Sequence, residues 1–234
     1  GDAAMRMFNA DGSEGVMCGN GVRCAAEFLY THGVRRDCIR IDTPSAGQRV
    51  LHRVGDGLWQ VEMGRFTAAP DAVGAVGLGG GPLLDVPLCA GGHAWRVHCV
   101  AVGNPHCVLF THEPPPAGAE LAAWGRALGR HPAFPGGINV EFAQPISPTG
   151  LAVTVWERGS GATLACGTGA CAVAAAAVLT GRCPRGAPIL VQLPGGTLEV
   201  CVQRDDTVLL TGDAAATFSG TVLIQPCKAP RGVV

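Results

Sequence analysis

The chain has 234 residues, 47% of them hydrophobic and 15% charged, which fits a globular protein with room for one large or two modest domains. A formal net charge of -1 offers no footprint for nucleic acid or anionic lipid, and the apolar run Ala172–Leu179 is far shorter than a membrane span. The only lysine is Lys228, in a tail rich in proline and glycine, so neither a Gly-Lys-Ser/Thr phosphate loop nor a Schiff-base lysine held in a site is available. Eleven cysteines, an odd number without regular spacing, favour reduced thiols and a cytoplasmic location. No Cys-x-x-Cys and no His-Glu-x-x-His occurs, so no metal site is expected.

In chain order, Arg6–Phe8 reads as the end of a strand and Gly19–Thr31 as the first helix. Strands follow at Cys38–Thr43, Gln48–Val54 and Leu58–Met63, the last two joined at Gly55-Asp56-Gly57. Asp71–Pro82 is glycine-rich and reads as a loop or domain connection. Strands at Trp95–Val102 and His106–Phe110 flank Gly103-Asn104-Pro105, and Glu120–Leu128 is a short helix stopped by Gly129. Ile138–Phe142 and Leu151–Trp156 are strands, and Thr168–Thr180 is the second main helix. Ile189–Leu193, Thr197–Gln203, Thr207–Thr211 and Thr221–Ile224 complete a meander.

Both main helices are alanine-rich and apolar nearly all round, the pattern of a helix buried on every side. Strands on both sides of each helix predict an α+β fold of two duplicated mixed α/β domains, each with strands wrapped around a central helix. The expected division is 1–63 and 64–211, with 212–234 returning to the first domain.

The duplication carries the chemistry. Cys18-Gly19-Asn20-Gly21 and Cys166-Gly167-Thr168-Gly169 lie 148 positions apart, and each opens a helix that runs out at a glycine 15 residues after its cysteine, Gly33 and Gly181. A thiol at a helix N-terminus meets unpaired N–H groups and the positive end of the dipole, which favour a thiolate. The ordinary alternative for either cysteine alone is a small buried hydrophobe, the reading given to Cys24, Cys38, Cys99, Cys171 and Cys201 inside elements. Repetition favours two acid/base groups converging on one substrate. The glycines would let Gly19/Asn20 and Gly167/Thr168 hold a carboxylate closely by backbone amides and stabilise charge developing at the adjacent Cα. Asn104-Pro105-His106 and Glu157-Arg158 each follow a strand near a glycine-rich turn, where an imidazole and a carboxylate could orient amines or tune the thiols. Each pair is otherwise an ordinary structural or surface group.

Several segments together resemble the diaminopimelate epimerase family. They are Arg6-Met7-Phe8-Asn9-Ala10-Asp11-Gly12-Ser13-Glu14, Met17 to Cys24, Gly103 to His106, Gly137-Ile138-Asn139-Val140-Glu141-Phe142, Glu157-Arg158-Gly159 and Thr163 to Cys171, in the family's order. The resemblance implies a cofactor-independent epimerase of LL- and meso-diaminopimelate, serving lysine and peptidoglycan synthesis, on a fold of two such domains. Cys18 and Cys166 would act from opposite faces of the α-carbon. Asn9, Gly19, Asn20, Asn104, Asn139, Glu157, Arg158, Gly167 and Thr168 would contact substrate, with His106 and Glu157 assisting the thiols. The expected partner is a small molecule, diaminopimelate, with a homodimer left open, and neither nucleic acid nor membrane.

The sequence departs from the family's pattern at Ala162, where the family has Glu, and at Asp213, where it has Pro. The resemblance also implies further strands ahead of Gly1, which would leave the first half the less stable and the less covered. Proline and hydroxyproline racemases use two thiols as well, but with histidine at the position of Asn20. A cysteine hydrolase with Cys166 as nucleophile and His106 as base, or a non-catalytic binding protein, are the remaining readings.

Overall fold

The computed structural model describes residues 1–8, 12, 14–15, 18–44, 47–221 and 223. Its first half holds strands β1 (Ala3–Ala4), β2 (Met7–Phe8) and β3 (Glu14–Gly15), helix α1 (Gly19–Thr31), then β4 (Cys38–Thr43), β5 (Gly47–Gly55) and β6 (Leu58–Arg65). After α2 (Pro70–Val73) come β7 (Val86–Ala90), β8 (His93–Ala101), β9 (Pro105–Phe110) and α3 (Gly118–Gly129). The rest is β10 (Asn139–Ser147), β11 (Gly150–Glu157), β12 (Gly161–Thr163), α4 (Gly167–Leu179), β13 (Pro188–Leu193), β14 (Gly196–Val202) and β15 (Thr207–Asp213). The fold is strand-rich mixed α/β, with strands gathered about two principal helices.

One long sheet runs through the molecule in the order β1-β4-β5-β6-β15-β14-β13-β11-β10-β9-β8-β7, with β12 beside β11 and a separate β2-β3 pair. Most pairs are antiparallel, but β1–β4, β9–β10 and β11–β13 are parallel. The strand β15 pairs on one side with β14 and on the other with β6, from Thr207↔Arg65 to Asp213↔Leu58, so the sheet passes unbroken between the halves.

Helix α4 behaves as its composition predicts. Every residue from Gly167 to Ala177 is buried, and alanine side chains let β8, β9, β10, β13, β14 and β15 approach it closely. Helix α1 corrects the expectation of burial all round: only Gly19, Val22, Arg23 and Ala26 are buried, and Phe28 is 60% exposed. Asn20, Arg23, Glu27 and Thr31 interrupt its apolar surface, so one face packs on β4, β6, β15 and α4 while the other meets solvent. Glu27 secures that packing by accepting from Trp59 Nε1 at 2.7 Å. Cys24, on the outer face, is exposed, and Cys38 and Cys201 are half-buried, against the expectation of core positions. All cysteines among the described residues are free.

Both helices end as their glycines require. Gly33 (φ 113°) and Gly181 (φ 71°) take left-handed torsions, and the residues after them, Val34 and Arg182, donate back to Leu29 and Ala177 carbonyls at 2.9 and 2.8 Å. The loop expected from Asp71 instead opens inside α2, which Pro70 starts and Gly74 ends in a left-handed cap. Four strands had no sequence signal: the two-residue β1 and β3, β7, which carries Pro87 and survives as a sheet edge, and the three-residue β12. Of the strand expected at Thr221–Ile224, Thr221 and Leu223 are outside any strand, and Val222 and Ile224 lie outside the described residues.

The contrast between the helices is measurable. Ala174→Leu in α4, wholly buried, should cost about 1–3 kcal/mol in urea unfolding through overpacking. Phe28→Ala on the open face of α1 should change stability by no more than about 0.5 kcal/mol.

Candidate active site

The two Cys-Gly-x-Gly turns are conformational copies. Cys18 and Cys166 are the N-caps of α1 and α4 with the same backbone torsions, φ -132° and ψ 113°. Each sulfur accepts from the amide three residues on: Gly21 N to Cys18 Sγ at 3.3 Å, Gly169 N to Cys166 Sγ at 3.4 Å. A cysteine here does the work usually done by a serine or aspartate cap.

The helix starts meet. A Cβ on Gly19 would lie 3.6 Å from the Gly167 Cα and 3.2 Å from Leu210 Cδ2, and a Cβ on Gly167 would lie 3.4 Å from the Gly19 Cα and 3.2 Å from the same methyl. Glycine at both positions lets the two turns touch over Leu210 of β15, whose methyl a side chain at either would crowd. The starts of the two helices, whose first amides have no intrahelical partner, therefore lie side by side. Asn20 Oδ1 lies there too, held by Arg23 Nη2 at 3.1 Å. Arg23 is buried, donates to the Gly19 carbonyl at 3.1 Å, and is less basic than usual because of that burial.

The sheet delivers the remaining groups to the α4 side. Register pairs Asn139 with His106 and Val140 with Trp156, so the starts of β9 and β10 and the end of β11 lie at one edge. His106 is wholly buried, with Nδ1 2.6 Å from Glu141 Oε1 and Nε2 2.9 Å from Asn104 Oδ1. Asn139 is spent on the scaffold: its amide donates to the Pro105 carbonyl at 3.0 Å, and its Oδ1 accepts from Arg158 N at 2.9 Å. Glu157 is half-buried and accepts from Thr163 Oγ1 at 2.7 Å, which ties β11 to the loop leading into Cys166. The exposed Arg158 donates to the Gly136 carbonyl, and Thr168 Oγ1 stands 3.5 Å from Cys166 Sγ. Asn9 lies outside the described residues.

Two participants were not singled out in the sequence. Glu141 is buried among the apolar Val140, Phe142 and Ala143, where a lone carboxylate was itself a signal. Arg23, one turn into α1 after Cys18, has the same character. Burial raises the Glu141 carboxyl above its ordinary value, His106 opposes the rise and Glu157 adds to it.

Cys166 departs from the expectation of an easily formed thiolate. Burial first, then the carboxylates of Glu141 and Glu157, push its thiol up to about 12, against the Thr168 hydroxyl and the Gly169 amide. The folded chain therefore keeps a proton that the unfolded chain releases near pH 9. This contribution to stability is complete below that pH and is lost as pH rises toward about 12. Relative to Cys166→Ala, the unaltered chain should lose about 1.4 kcal/mol of unfolding free energy per pH unit over that window. Urea unfolding of the two proteins at stepped pH measures it.

A family model described as "Diaminopimelate epimerase" matches residues 1–68 and 98–217. The diaminopimelate epimerase of Synechococcus sp. (strain JA-2-3B'a(2-13)) is 47% identical over 234 residues, covering 94% of this chain and 78% of the relative. That of Nostoc punctiforme is 44% identical over 227 residues with the same coverage. Among solved structures, a probable proline racemase from Agrobacterium radiobacter K84 superposes with a TM-score of 0.68 at 17% identity, over 96% of this chain and 73% of the other. A predicted epimerase from Pseudomonas aeruginosa gives 0.60 at 21%, over 93% and 80%. These two share the fold. No helix among the described residues is long and apolar enough to cross a membrane. The chain belongs to the diaminopimelate epimerase family.

Proposed function

We propose that the protein interconverts LL- and meso-diaminopimelate by a two-base reaction, with Cys18 and Cys166 as the acid/base pair. The observation that carries this reading is the meeting of two cysteine-capped helix starts at Gly19 and Gly167. A substrate α-carboxylate fits the convergent amides of Gly19, Asn20, Gly167 and Thr168, where two positive helix ends favour an anion. One thiolate removes the Cα proton, and the electron pair spreads into that carboxylate, held by the same amides. The other thiol delivers its proton to the opposite face, so a thiol and a thiolate exchange identities at each turnover.

Asn104, Asn139, Glu157 and Arg158 line the edge beside Cys166. Glu157 suits the substrate ammonium, while Asn139 serves by fixing the Pro105 and Arg158 backbones. His106 assists Cys166 through its partners, since both its ring nitrogens are engaged. In this reading residues 1–63 with 212–234, and residues 64–211, are the two walls of the site. The reaction proceeds without pyridoxal phosphate, in keeping with a chain whose only lysine is Lys228. A cytoplasmic location fits the free thiols. The proline racemase reading is not favoured, because Asn20 stands where those enzymes are expected to have histidine.

Incubation with LL-diaminopimelate in deuterated water tests this. Early product should carry deuterium at Cα while recovered substrate stays protonated, and L-proline should keep its optical purity. Cys18→Ala and Cys166→Ala should each reduce turnover by at least about 100-fold. Racemisation of proline, or equal early labelling of substrate and product, would refute the reading.

A further inference from the structure

The helix termini cannot tell the two cysteines apart. Their torsions are the same, and their amide-to-sulfur distances differ by 0.1 Å, 3.3 against 3.4 Å. The side chains around them can. Beside Cys18 lies Arg23, a buried cation bonded to the neighbouring Gly19 carbonyl. Beside Cys166 lies a buried carboxylate with an unmet oxygen.

That carboxylate is Glu141. Its Oε1 is 2.6 Å from His106 Nδ1, with both side chains wholly buried. The same oxygen would stand 2.8 Å from a Cβ on Gly169, the residue whose amide donates to Cys166 Sγ. Its Oε2 is buried without a hydrogen-bond partner among the described residues. Such a group burdens the fold unless something else requires it. Both ring nitrogens of His106 are engaged, Nδ1 with Glu141 and Nε2 with Asn104, so His106 acts on the site through Glu141. The titratable neighbours of Glu141 are His106 and Cys107 on β9, Glu157 at the end of β11 and Cys166 at the start of α4.

We propose that Glu141 is a positioning residue: held by His106 beside the start of α4, its carboxylate keeps Cys166 as the protonated thiol of the resting enzyme. The inference deepens the two-thiol reading and rests on it. Glu157 adds a second negative charge on the Cys166 side, and burial acts in the same direction. The two caps, alike in backbone, thus differ in the charges beside them.

The test is the pH dependence of iodoacetamide alkylation in the substrate-free protein, resolved for each cysteine by peptide mass spectrometry. The midpoint reports ionisation, while restricted access changes only the plateau rate. In the unaltered protein the Cys166 midpoint should lie well above that of an ordinary thiol. Glu141→Gln, which keeps the shape and a bond to His106, should lower the Cys166 midpoint by about one pH unit or more. Glu141→Asp should retain most of the raised midpoint. The Gln variant should also lose about tenfold or more in kcat with KM within about twofold. An unchanged Cys166 midpoint in a folded Glu141→Gln protein overturns the proposal, as does an ordinary thiol midpoint for Cys166 in the unaltered protein. The second outcome decides the matter even if the variants fail to fold. Failure of epimerase activity with the raised Cys166 midpoint intact would instead refute the proposed function alone.

Discussion

The contact of Gly19 with Gly167 over Leu210 governs the rest of the molecule. Two helix N-termini carry partial positive charge and repel one another when brought together. Holding them in contact takes a rigid frame, and β15 provides it: the strand supplies Leu210 between the two glycines and pairs with both β6 and β14. Helix α1 docks on β6 through Trp59 and Glu27, and α4 is encased by strands. On the proposed function, the repulsion preserved by this frame becomes affinity for the substrate carboxylate, held without reorganising, which is where electrostatic catalysis is strongest.

Around that contact the charges are arranged unequally. Arg23 adds a buried cation on the α1 side, while Glu141, His106 and Glu157 crowd the α4 side. Asn139 and Thr163 spend their hydrogen bonds locking the loops that carry Pro105, Arg158 and Glu157. The polar groups nearest the chemistry thus include some that only hold others in place, and side-chain type does not distinguish them.

Much of this was legible in residues. The ends of α1 follow from cysteine caps and terminal glycines, and the alanine run of α4 announced a helix in the core. Matching Cys-Gly-x-Gly turns pointed to two thiols at one site. The misses have physical causes. Alanine in α1 hid an amphipathic helix, because packing depends on where Arg23, Glu27 and Phe28 fall around the axis rather than on mean composition. Pro87 and the glycines about β12 mask strands that exist only as additions to a sheet formed elsewhere. Glu141 was passed over as a residue within a strand, since its meaning comes from His106 on β9 and Gly169 on α4, both distant in sequence. The raised Cys166 thiol has the same origin. A helix start predicts a stabilised thiolate, but depth of burial and neighbouring carboxylates are tertiary facts, and here they outweigh the local amides.

An enzyme that runs in both directions cannot keep its two bases unequal throughout the cycle. With substrate bound, the proton must sit on either thiol at similar free energy, or one direction stalls. On the proposed function the substrate itself restores the balance. Its carboxylate at the shared helix starts faces both sulfurs alike and favours neither. Its ammonium, paired with Glu157, cancels one of the charges that raise Cys166 and so eases that thiol alone toward ionisation. Asymmetry in the empty site is thus compatible with near symmetry in the filled one, where the matched helix starts let either thiol serve.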